Sequence, residues 1–205
     1  MNKQVLLIGA SGGLGQACLV ELENRGYSVH TLTRQQLDLD HPGTIFDHDF
    51  SKFNVLINCA GHNKGTYRGF LHNTWENQLS QITVNYISNL FLLKHFANSV
   101  KVGKYVWIGS SSINNPRPYH SVYAGSKMAS KFAIDLVRPQ AEHIQILEVN
   151  VGTMRTNFRN VNFEGSQTTE SINIQYDQET ALDPVSVSNQ IITAMEQDQT
   201  ELLIR

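Results

Sequence analysis

Apolar residues fall in short runs, and these runs alternate with segments of helical spacing. Val5 to Ile8 is a run too short for a buried helix and suited to a strand buried on both faces. Glycines follow at positions 9, 12, 13 and 15, and then Leu14, Cys18, Leu19 and Leu22 lie on one helical face. Gly26 is placed to end that helix. A second strand runs from about Ser28 to Thr33. Gln35-Gln36-Leu37-Asp38-Leu39 comes directly after it and predicts a very short third strand. A parallel crossover needs a dozen or more residues, usually a helix, so no regular helix fits between Arg34 and Asp38. His41 to Phe53 has room only for a short helix. Val55 to Ile57, Tyr105 to Ile108 and Ile144 to Val149 are further strand cores. A long helical stretch spans about Trp75 to Asn98, and a helix after Tyr123 should stop at Arg138-Pro139. The expectation is an α/β fold: a three-layer, doubly wound parallel sheet of six or seven strands, with the helix between strands two and three missing.

The composition narrows the class. The chain has 205 residues, 40% hydrophobic content and a formal charge of −2, which suits one core and argues against a nucleic-acid partner. No apolar run approaches the roughly 18 residues of a membrane helix, and the start does not read as a signal peptide. Cys18 and Cys59 read as reduced packing residues of a cytoplasmic protein. No ligand spacing suggests a metal.

Two motifs carry chemistry. Strand, glycine turn and helix together form the context of a dinucleotide fingerprint: the glycines let the backbone approach a pyrophosphate, and the helix N-terminus offers amides and partial positive charge. Taken by itself, the turn also fits another α/β protein. The second motif is Tyr123 and Lys127, one helical turn apart and on one face. A fixed positive charge lowers a phenol's pKa, so the pair is a candidate proton donor and acceptor.

Gly9, Gly13 and Gly15 fit G-x-x-x-G-x-G, and Gly9, Gly12 and Gly15 fit G-x-x-G-x-x-G. With Tyr123-x-x-x-Lys127 downstream, the chain resembles the short-chain dehydrogenase/reductase family. Its length leaves no room for the extra substrate domain of the extended members, so the resemblance is to the compact type. Other motifs follow in the family's order. Asn58-Cys59-Ala60-Gly61 resembles N-N-A-G, Asn85 matches the asparagine of the catalytic tetrad, and Ser110 stands thirteen residues before Tyr123. Gly152 and Thr156 keep the family's spacing after the next strand, with Val151 in place of the usual proline. Ile8 replaces a threonine that supports the glycine turn and does no chemistry.

The resemblance implies one NAD(P)-binding domain over residues 1–205, with a polar substrate lid around 157–183. The implied catalytic set is Asn85, Ser110, Tyr123 and Lys127. The implied cofactor set adds Gly9, Ser11, Gly12, Gly13, Leu14, Gly15, Arg34, Asp38, Asn58, Ala60, Gly61, Gly152, Met154 and Thr156 to Tyr123 and Lys127. Arg34 ends strand two where an acid would read the ribose of NAD, so NADP is favoured over NAD. Asp38 resembles the aspartate that contacts the adenine amino group.

The implied reaction is hydride transfer with a small carbonyl or alcohol substrate. Tyr123 would exchange the proton and Ser110 hold the carbonyl oxygen. Lys127 would hold the nicotinamide ribose, and Asn85 would hold a water that relays protons to Lys127. Tyr119, His120, Met154 and Phe158 are candidate walls, and His62, Arg68, Arg117, Arg155 and Arg159 lie on nearby loops. Two other readings remain: a redox-sensing NADP-binding regulator, and an isomerase or dehydratase using transient oxidation. Apolar residues on several faces of two helices (Leu79, Ile82, Tyr86, Leu90 and Leu93; Phe132, Ile134, Leu136 and Val137) suit a homodimer or homotetramer.

Overall fold

Along the first strand, β1 (Gln4–Ile8), successive side chains point to opposite faces of the sheet, and both faces are covered. Leu6 and Ile8 join one apolar cluster while Val5 and Leu7 join another. This is seen in a computed structural model that describes residues 4–158 and 181–205. The remaining strands are β2 (Ser28–Leu32), β3 (Val55–Asn58), β4 (Gly103–Ile108), β5 (Ile144–Val151) and β6 (Glu201–Ile204). All pair parallel, in the order β2-β1-β3-β4-β5-β6. One face carries α1 (Gly13–Asn24) and α5 (Pro184–Glu196). The other carries α2 (Trp75–Ile82), α3 (Ser88–Ser99) and α4 (Ser121–Val137). The sheet is thus the doubly wound α/β fold in three layers.

As expected, no helix lies between Arg34 and Asp38, but the expected short third strand is absent as well. Leu37 and Leu39 are buried in the cluster under α3 rather than paired beside β2. A tight turn does this: Leu37 N–H donates to Thr33 O at 2.9 Å, and Thr33 N–H donates to Gln36 Oε1 at 2.9 Å. The alternation of apolar and acidic residues fits a half-buried strand equally well. Here it sends two leucines into the core and leaves Asp38 and Asp40 outside. The chain returns through a 3₁₀ turn, Pro42–Asp47, to Phe50 and Phe53, both buried.

The long helix is interrupted. Thr83–Ile87 is a π-helical segment between α2 and α3, and it contains Asn85. Such segments recur at functional sites because the extra residue re-aims a side chain. Helix α4 ends at Val137 and passes into a 3₁₀ turn over Arg138–Gln140, as the proline requires. Most of the polar segment 157–183 lies outside the described residues. Its two ends are joined, since Arg155 N–H donates to Leu182 O and Leu182 N–H donates to Thr153 O.

One buried charge ties α4 to the sheet. Glu148 on β5 is fully buried, accepting from Lys131 Nζ at 3.1 Å and from Asn150 Nδ2 at 2.5 Å. Removing one partner of a buried pair leaves an uncompensated charge and costs about 3–5 kcal/mol. Lys131 keeps some exposure, so Lys131→Met should destabilise by about 2–4 kcal/mol in urea unfolding. Lys131→Met combined with Glu148→Gln should recover most of that loss. A single variant as stable as the parent would show the pair to be dispensable.

Candidate active site

The carboxyl ends of the parallel strands face one cleft. Its centre is the point where the sheet order reverses: β1 leads out to β2 on one side and to β3 on the other, and crevices at such points take ligands. The cleft has a volume of about 590 Å³.

The turn after β1 forms one wall. Gly9 has φ +80°, and a Cβ there would stand 2.6 Å from Ala60 N, so a side chain is excluded on both counts. The turn closes with Gly12 N–H donating to Gly9 O at 3.1 Å. No side chain caps the start of α1, so its first amides face the cleft beside Gly12 and Gly13. Ser11, Leu14 and Gly15 line the same wall. Thr156 crosses over from the loop after β5, and its side chain stands where a Cβ on Gly13 would be. Gly152 and Met154 complete that side. A glycine turn at an uncapped helix N-terminus fits a pyrophosphate.

The loop after β3 supplies Cys59, Ala60 and Gly61 to the cleft. Asn58 does not reach it. It is buried, accepts from Ala60 N–H at 3.1 Å and donates to Asn89 Oδ1 at 3.1 Å, so it shapes the loop from below. Arg34 and Asp38 also lie outside the lining. Arg34 has a side chain 74% exposed and paired with Asp40 at 2.6 Å and Asp38 at 3.4 Å.

Opposite the glycine turn stand Ser110, Tyr123 and Lys127, all buried. Ser110 caps the turn after β4: its Oγ lies 2.8 Å from Ser112 Oγ and accepts from Ser112 N–H at 3.2 Å. Burial raises the Tyr123 pKa, and its hydrogen bond with Ser110 draws it partly back. The expected lowering by Lys127 is therefore not what governs the phenol. The ammonium is engaged elsewhere, with Nζ donating to Ile108 O at 2.8 Å and lying 5.6 Å from the Trp107 ring centroid. Burial also acts on Lys127, lowering its pKa to about 8.

Asn85 sits behind this group and does not line the cleft. Its Nδ2 donates to His62 O at 2.9 Å and to Ser126 Oγ at 3.1 Å, and its Oδ1 accepts from His62 N–H at 3.0 Å. Its backbone carbonyl accepts from Ser130 Oγ at 2.7 Å. A Cβ on Gly61 would lie 3.0 Å from Asn85 Oδ1 and 3.3 Å from Lys127 Nζ. Only glycine leaves that point open between them.

The cleft beside Tyr123 is aromatic. His120 packs edge-on to Tyr123 and to Tyr67, at centroid distances of 5.7 and 5.8 Å, and Phe158 meets Tyr123 at 6.2 Å. His62, Arg117, His120, Met154 and Phe158 line the cleft. Tyr119, Arg68 and Arg155 do not, and Arg159 lies outside the described residues. Tyr67 and Asn63 also reach the cleft, from the loop after β3 and its 3₁₀ turn Thr66–Arg68. No motif marks either of them, so only the folded loop could reveal them.

Residues 43–167 match the family model described as short chain dehydrogenase, which is more than half of the chain. The chain belongs to the short-chain dehydrogenase family. The match takes in Asn85, Ser110, Tyr123 and Lys127 and begins after the glycine turn. Solved short-chain dehydrogenases share the fold over nearly the whole chain. One, from Sphingobium yanoikuyae in complex with NADPH, is 18% identical with a TM-score of 0.80, over 98% of this chain and 86% of that one. Another, from Burkholderia cenocepacia in complex with NADP, is 17% identical with a TM-score of 0.83, over 100% and 88%. The 3-alpha-hydroxysteroid dehydrogenase from Pseudomonas sp. B-0831, complexed with NADH, is 18% identical with a TM-score of 0.75, over 98% and 94%.

A lysine lowered to about 8 has a sign in stability. Between about pH 8 and 10.5 the unfolded chain holds the proton and the folded one does not, so stability rises with pH through that window. Below it, the buried ammonium costs on the order of 3 kcal/mol. Lys127→Met should therefore melt higher than the parent at pH 7, with the difference shrinking towards pH 10. A variant less stable at pH 7 would show that the bond to Ile108 outweighs burial.

Proposed function

We propose that this short-chain dehydrogenase is an NADP-dependent oxidoreductase acting on a carbonyl or alcohol substrate. The observation that carries this reading is the convergence of Ser110, Tyr123 and Lys127 on one cleft whose opposite wall is the glycine turn at the start of α1. Bound nicotinamide dinucleotide would supply the hydride. The turn and the α1 amides would hold its pyrophosphate. Arg34, at the end of β2, would meet a ribose 2′-phosphate through a guanidinium fork. NADPH and NADP in two of the solved relatives support this choice, although another holds NADH.

The chain's own groups then divide the work. Tyr123 stays a protonated phenol at neutral pH, because burial raises its pKa. It donates that proton to the carbonyl oxygen during reduction. Ser110 donates a second hydrogen bond to the same oxygen and fixes its position. Lys127 holds the cofactor ribose and supplies positive charge as the phenolate forms. Asn85 and Lys127 flank the open point beside Gly61, which supports their acting together through a shared water. Tyr67, His120 and Phe158 would surround the substrate body, and the segment 157–183 would cover it.

Assembly follows from surface chemistry. Helix α4 presents Met128, Phe132 and Leu136 at four-residue spacing, all well exposed, beside exposed Leu79 and Ile82 of α2. Leu93 and Ile134 are instead buried in the chain's own core. The exposed stripe suits pairing with a second copy, giving a homodimer or homotetramer. Two free cysteines suit a reducing, cytoplasmic compartment. Among the described residues, no helix is long and apolar enough to cross a membrane.

Tyr123→Phe should lower single-turnover NADPH oxidation by about 10²–10⁴ on a carbonyl found by screening, with NADPH affinity within a few-fold. Near-normal turnover would refute the role of Tyr123. Tight cofactor binding with no turnover on any carbonyl would favour a sensing role instead. Light scattering at micromolar concentration should give a dimer or larger, and Phe132→Glu should give a monomer. A monomeric parent would sink the assembly proposal.

A further inference from the structure

Arg34 does not stand free at the end of β2. Its guanidinium donates to Asp40 Oδ2 at 2.6 Å, with Asp38 Oδ1 more distant at 3.4 Å. The two partners differ in how firmly they are held. The Arg34 side chain is 74% exposed, while that of Asp40 is 26% exposed. Asp40 is anchored from the other side, since its Oδ1 accepts from Ser80 Oγ–H on α2. Ser80 is itself held by His62, whose Nε2 lies 2.9 Å from Ser80 Oγ. His62 Nδ1 accepts from Lys64 N–H at 3.2 Å, so the proton of a neutral ring sits on Nε2 and points at Ser80. Burial lowers the His62 pKa, which keeps that ring neutral. The chain of donors runs one way, from His62 to Ser80 to Asp40, and ends on the carboxylate.

A fixed carboxylate and an exposed arginine make an internal ion pair at the place where a phosphate would be read. Carboxylate and phosphate recruit the same guanidinium fork. We propose that Asp40 is a specificity-determining residue: it acts as a built-in competitor for Arg34, which a ribose 2′-phosphate must displace, and so narrows the preference for NADP over NAD. Arg34 moves on binding and Asp40 stays, because Ser80 holds it whether or not Arg34 is present. Asp40 acts through Arg34 and touches no reacting atom. The inference rests on the reading of Arg34 as the phosphate ligand, and its test separates the two.

The probes are 2′,5′-ADP, which carries the 2′-phosphate, and 5′-ADP, which lacks it. Calorimetry at low salt would compare the parent, Asp40→Asn, Arg34→Gln and the double variant. Asparagine keeps an oxygen for Ser80 and removes the charge facing Arg34. An exposed ion pair is weak, so Asp40→Asn should tighten 2′,5′-ADP by about two- to five-fold and leave 5′-ADP unchanged. That gain should shrink at high salt, because exposed charges are screened. It should also vanish in the Arg34→Gln background. Weaker 2′,5′-ADP binding by Asp40→Asn would mean that Asp40 presents Arg34 to the phosphate, and would overturn the proposal. So would no change, equal tightening of both nucleotides, or a gain that survives Arg34→Gln. If the parent bound 5′-ADP but showed no preference for 2′,5′-ADP, and Arg34→Gln changed nothing, the reading of Arg34 would fail first and carry this inference down with it. Thermal melts of each variant check that the loop folds.

Discussion

One buried amide holds the site together. Asn85 connects the loop after β3 to α4 by bonding His62 twice through its side chain and Ser126 once. Ser126 Oγ in turn donates to the carbonyl of Tyr123 at 2.8 Å, and Ser130 Oγ bonds the carbonyl of Asn85 itself. Asn85, Ser126 and Ser130 are buried, so a bond any of them left unmade would cost a desolvation penalty. The polar seam fixes how α4 lies against the π segment. That decides where Tyr123 and Lys127 stand relative to the loop at Gly61. The π segment is what turns the Asn85 side chain towards the loop.

Behind that seam, burial sets the electrostatics. The cleft places a phenol and an ammonium where water is scarce, and each is pushed towards its neutral form. For Tyr123 this favours the protonated phenol. For Lys127 it is a standing cost, offset in part by the carbonyl of Ile108 and the face of Trp107. The outer rim follows other rules. Arg34, Asp38 and Asp40 remain partly in water, where solvent screening keeps such pairings weak.

The sequence alone settled the elements that depend on local chemistry. Apolar runs of strand length, the glycine turn, the proline after α4 and the absence of a helix at residues 34–38 all follow from short-range sterics and hydrogen bonding. The spacing of Gly9 to Gly15, and of Ser110, Tyr123 and Lys127, placed the cleft as well, because strand ends of a parallel sheet must converge on one edge. What required the tertiary structure was everything set by contacts distant in sequence. Leu37-Asp38-Leu39 has a strand's alternation, but the core under α3 claimed both leucines. Tyr67 and Asn63 carry no local signal and reach the cleft only because their loop folds back over it. The anchoring of Asp40, the partner of Arg34, by Ser80 forty residues on depends on the loop after β2 meeting α2 in space. The direction of the phenol's pKa belongs here too: helical spacing alone suggests lowering by Lys127, whereas in the packed site burial raises it and the bond with Ser110 draws it partly back.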